Sequence, residues 1–197
     1  EVDRAVIDGE ESGFVKIHVR ERTDKILGAT LASGPNGQII VTNSPGVGKT
    51  VLDDVTLASD VTLGDPLLTT SLTVTNGLTL SGAKVMLQTP QYAKSELIFT
   101  GTQTLGGTGE VVFAGKGGTV RTYGDTTPAG ANMLTIGSGI TVRGVRTAAT
   151  SDDYSTVNGR NFDTIVNEGT IIADVANQEI QVLWDGPDGK FVNRGSI

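Results

Sequence analysis

Cysteine is absent from the 197-residue chain, so disulfide frameworks, thiolate nucleophiles and sulfur-ligated metals fall away at once. Aromatic residues are only 5% of the sequence and Pro only 6 residues. Basic residues are the minority, 15 against 22 acidic, for a net charge of -7 and a pI near 4.6. That surface repels polyanions, and nucleic acid is disfavoured as a partner. No apolar run approaches the ~18 residues of a membrane span. There is no basic-then-apolar leader after Glu1, so a secretion signal is expected to lie outside this segment or never to have existed.

What is plentiful is glycine, 27 residues, set among short alternating runs of apolar residues and threonine. Frequent tight turns between short strands follow, because Gly, and less readily Asn or Asp, accepts φ > 0 at little cost. Internal repetition is visible from about Gly37. A nine-residue pattern, apolar-Thr-apolar, three turn residues, then apolar-Thr-apolar, fits residues 55–63, 72–80 and 134–142. A second pattern occurs as IVNEGTI at 165–171 and FVNRGSI at 191–197. Their offset, 193 − 167 = 26, suits one turn of a solenoid. Alternate apolar residues then fill a central stack, Thr faces outward, and Asn-Gly or Ser-Gly turns the corner. No single coil buries its own apolar face, so stability comes from stacking on neighbours. The expected fold is all-β, a right-handed β-solenoid or β-helix with an N-terminal β-hairpin; a β-sandwich of regularly spaced strands is the competing architecture.

The segments LTVTNGLTLSG, GTQTLGGTGEVVF, LTIGSGITVRG and IVNEGTI resemble the large repeat-rich bacterial surface proteins of the filamentous haemagglutinin and autotransporter-passenger kind. The resemblance covers roughly residues 50–197 and rests on repeat style. It implies an extracellular or cell-surface β-helix serving as stalk, adhesin or scaffold, with a glycan or a cell-surface protein as partner. The chain stops within a repeat, as expected of a piece of a longer protein.

Residues 1–33 are richer in charge. Residues 14–20 alternate as a half-buried strand, and a polar connection leads to a second apolar run at residues 26–31, which together predict a hairpin. The stretch DRAVIDGEESGFVKIHV followed by TDKILGAT resembles the start of the C-terminal dimerisation domain of flavin-dependent pyridine nucleotide-disulfide oxidoreductases, especially the mercuric reductase-like branch. That resemblance implies a strand-pairing element able to support self-association, and, if it marks the true origin, a cytoplasmic protein. The family's helix-opening pattern, redox cysteine pair and dinucleotide fingerprints are missing, so none of its functional residues carries over. His18, the only histidine, does not match its catalytic position. Residues 34–50 are a linker or a first coil, and residues 51–197 the solenoid.

Three chemical readings arise from the residues. Residues 38–50 run into Gly-Lys-Thr, but Asn43 stands where a phosphate loop needs its first Gly and a strand follows in place of a helix, so a Pro-Gly turn is the better reading. The acidic pairs Asp53-Asp54 and Asp152-Asp153 and the loop Asp185 to Gly189 lack the spacing of a calcium loop and read as solvated turns. Arg143, Arg146 and Arg160 fall near Asp152, Asp153 and Tyr154 in the longest irregular stretch, 144–160, where a ligand or a polysaccharide substrate could be met. Trp184 alternates with Ile180 and Val182 and reads as a core or coil-edge residue. The chain holds no complete catalytic constellation, no metal set and no cofactor motif, which points to a non-catalytic module. A carbohydrate-active β-helix enzyme and an oxidoreductase fragment are the alternatives.

Overall fold

Apolar residues that alternate with threonine and break at glycine every few positions form short strands that turn a corner and restart. The computed structural model describes residues 25–34, 39–42, 50–65, 68–89, 94–115, 118–124, 127–144, 155–174, 176, 179–186 and 188–197. These build an all-β parallel solenoid of about five turns. Residues 14–20, the first strand of the expected hairpin, and residues 43–49, the Pro-Gly turn, lie outside the described residues.

Each turn passes through three ladders. The first ladder takes β1 (Lys25–Leu27), the start of β4 (Thr50–Leu57), the start of β6 (Thr70–Thr89), β7 (Ser95–Phe99), β9 (Gly118–Thr122), β12 (Ser155–Arg160) and β15 (Ile180–Asp185). The second takes β2 (Thr30–Leu31), the end of β4, the middle of β6, the start of β8 (Gln103–Gly115), β10 (Met133–Ile136), β13 (Thr164–Asn167) and β16 (Lys190–Asn193). The third takes β3 (Ile39–Val41), β5 (Val61–Leu63), the ends of β6 and β8, β11 (Ile140–Gly144) and β14 (Thr170–Ile172), and closes on a bridge from Thr170 to Ser196. Strands β4, β6 and β8 run round corners and so serve more than one face. Parallel pairing already begins at Lys25: the run 26–31 lies against β4, ahead of Gly37.

The core is a set of in-register columns along the stack. Leu72, Leu97, Val120 and Val157 form one, all fully buried. Val61, Val85, Val111, Val142 and Ile171 form another. Each such side chain contributes about 1.5–3 kcal/mol over leaving it in water. Leu78, Leu105 and Ile136 make a third column, which then changes character: the next positions are Asn167 and Asn193, and the Asn167 amide donates from Nδ2 to Asn193 Oδ1 at 2.8 Å. The 26-residue offset read from the two repeats is therefore one turn, in register.

The nine-residue pattern marks corners, but not one corner. Residues 55–63 and 134–142 cross from the second ladder to the third, whereas 72–80 cross from the first to the second. The apolar positions of all three copies are buried. Two causes make the corners glycine-rich. At Asn76-Gly77 the backbone is left-handed, with φ 60 and 106. At Gly139 it is not; a Cβ there would collide with the carbonyl oxygen of Gly107 in the preceding turn.

Candidate functional site

Alternation that sends Leu97, Val120 and Val157 inward sends their neighbours to the outer surface of the first ladder, and there polar side chains from five strands meet. Ser71 on β6 donates from Oγ to Glu96 Oε2 at 3.1 Å. Arg121 on β9 reaches back to Glu96 Oε1 at 3.4 Å and forward to Asp185 Oδ2 on β15 at 3.6 Å. Asn158 on β12 donates from Nδ2 to the other oxygen of Asp185 at 3.3 Å, and Thr156 donates to Thr119 Oγ1 at 3.0 Å. Arg121 and Asn158 are ladder neighbours. Both are largely buried, and the Arg121 Nε and the Asn158 Oδ1 make no hydrogen bond among the described residues.

Tyr123 follows β9 and is 46% exposed. The Arg160 guanidinium lies 4.1 Å from its ring centroid and that of Arg121 lies 5.4 Å away, two cation–π contacts from described residues on one ring. The Arg160 guanidinium makes no hydrogen bond or ion pair among the described residues, although Asp185 is its register partner. The surface thus offers donors, acceptors and an aromatic ring within a few rungs about 4.8 Å apart.

A buried carboxylate and a half-buried indole lie next to this surface. Asp163, fully buried where the chain turns from the first ladder to the second, accepts the backbone N–H of Asn132 at 2.7 Å and of Gly124 at 3.1 Å. It holds both ends of the loop that carries the short 3₁₀ turn Pro128–Gly130. Trp184 donates from Nε1 to the Asp163 carbonyl at 3.2 Å and meets Phe191 edge-on at 6.1 Å. It is half-buried and packs against the core with Ile180 and Val182, as its alternation predicts.

Of the residues singled out from sequence, Arg146, Asp152, Asp153 and Tyr154 lie outside the described residues. Arg143 and Arg160 stand on different faces. Arg143, on the third ladder, donates to Glu110 Oε2 at 3.2 Å and to Asp174 Oδ2 at 2.7 Å, and Lys84 joins Glu110 at 3.3 Å. Burial pushes the Glu110 carboxyl up, but hydrogen bonds from Lys84 and Arg143 outweigh it and hold it below the usual carboxylate range. Asp174 foremost, then Glu110, push the Arg143 guanidinium higher still. This chain of four charges fastens successive turns. Asp53 is buried and accepts the Asn76 amide at 2.7 Å.

Sequence reasoning missed Glu96, Arg121, Tyr123 and Asn158. The alternation of GTVRT does mark Arg121 as outward. Its partners come from strands 25 or more residues away in sequence, in turns of unequal length. Comparison of the chain with protein-family models, with curated proteins and with solved structures finds no match.

Proposed function

We propose that the chain is a non-catalytic structural or adhesive segment of a large bacterial surface or secreted β-helix protein, working outside the cell or on its surface. The observation that carries this reading is the set of three parallel, in-register ladders over about five turns. Such a stack is a stiff support that presents its outer side chains at fixed spacing, which is what a stalk or an adhesin requires. The partner is a glycan or a protein of another cell. Immunolabelling of intact source cells with antibody against the purified chain tests the location, and adhesion of chain-coated beads to cells tests the role. Labelling of intact cells together with saturable bead adhesion is the expected result. An antigen reached only after lysis would overturn the surface assignment, and labelled cells with no bead adhesion would leave a stalk and remove the adhesin.

A further inference from the structure

We propose that the outer surface of the first ladder around Tyr123, Arg160 and Asp185 binds an uncharged oligosaccharide, a ligand class that rests on the adhesive reading. A merely structural Arg160 would be expected to pair with Asp185, its register partner on β15. Instead one Asp185 oxygen pairs with Arg121 and the other accepts from Asn158, and each keeps a further lone pair. Arg160 sits over the Tyr123 ring, its guanidinium carbon 4.1 Å from the centroid and its N–H donors unclaimed by any described residue. A stacked guanidinium is held in one orientation and keeps its donors for something outside the chain.

Charge decides what that something is. Among the described residues the cluster balances Arg121 and Arg160 against Glu96 and Asp185, within a chain of net charge -7. An anion drawn to Arg160 would meet two carboxylates, and a cation drawn to Asp185 would meet two guanidiniums. A hydroxyl both donates and accepts, so it suits a surface where the Arg160 donors and the Asp185 carboxylate, 57% exposed, occupy adjacent rungs. Tyr123, 46% exposed beside the Arg160 guanidinium, adds apolar ring surface against which the carbon skeleton of a sugar can pack. A sugar unit is about as long as one rung spacing of about 4.8 Å, so successive units could meet successive turns.

Calorimetric titration of the whole chain tests this with cello-, xylo- and galacto-oligosaccharides, and with oligogalacturonate, heparin and a poly-glutamate peptide as charged arms. Binding of at least one neutral series is expected, little changed by 0.5 M salt and weakened tenfold or more in both Tyr123→Ala and Arg160→Ala. Arg194→Ala, at an exposed residue that follows β16 of the second ladder and pairs with Glu168, should bind as the parent does. Circular dichroism and the single Trp confirm that each variant is folded. Binding of the charged arms alone, of no saccharide, or with the parent's affinity in either variant overturns the proposal. If beads still adhere to cells in any of those cases, the adhesive reading stands without it; loss of surface labelling sinks that reading independently.

Discussion

Trp184 occupies the space that a side chain on Gly159 would need: the two are paired in register on β12 and β15, and a Cβ at Gly159 would overlap the indole ring. Gly159→Ala must therefore displace the ring or spread the turns, at a cost of about 1–3 kcal/mol. Trp184 is the only tryptophan, so urea unfolding followed by its fluorescence reads the effect directly. Gly34→Ala, where an added Cβ meets nothing within 4 Å, should leave the midpoint unchanged.

Asp163→Asn is expected to destabilise by about 1–3 kcal/mol, because one of two part-buried backbone N–H groups would then face an amide N–H in place of an oxygen. Limited proteolysis should cut the variant first within residues 125–131. A variant as stable and as resistant as the parent would mean that the buried carboxylate is not what holds this corner.

The hydrogen bond between Asn167 and Asn193 couples the last two turns. A double-mutant cycle with Asn167→Ala and Asn193→Ala should give an interaction of about 0.5–1.5 kcal/mol. Additive losses would show that the two amides act separately.

Glu110 makes stability depend on acid. Its carboxyl is held below its ordinary value in the folded chain, so the unfolded chain binds the proton first as pH falls. The contribution is complete above the usual carboxylate range and disappears as pH drops through the lowered value. Part exposure of the side chains, about a third at Glu110 and Arg143, limits it to under about 1 kcal/mol. Thermal unfolding from pH 7 to 3 should show a shallower acid loss in Glu110→Gln, and 0.5 M salt should narrow the gap between the two proteins.

The strands were legible where alternation is strict. Val55-Thr56-Leu57 and Leu134-Thr135-Ile136 place their apolar residues inward as the pattern demands, and the Asn167 and Asn193 repeats gave the turn length directly. The entry to the stack was less legible. A short apolar run with Gly28 at positive φ satisfies the sequence rules for a hairpin strand and for a coil equally; only its partner, β4, distinguishes them. The polar cluster was the least visible part. Arg121 and Asn158 adjoin only because the intervening chain closes a full turn, and residues 145–154 give that turn a length no other shares. Arg143 and Arg160 looked close along the chain, yet stacking sends them to different faces.

The ladder hydrogen bonds join one turn to the next, so they run along the stack and not across it. A pull applied at the two ends would load them in opening, rung by rung, with no covalent shortcut between turns. Parting one turn of the 26 residues from Asn167 to Asn193 would free about 90 Å of extended chain. Tethered under tension, the stack would yield in discrete steps and lengthen severalfold before the tether failed.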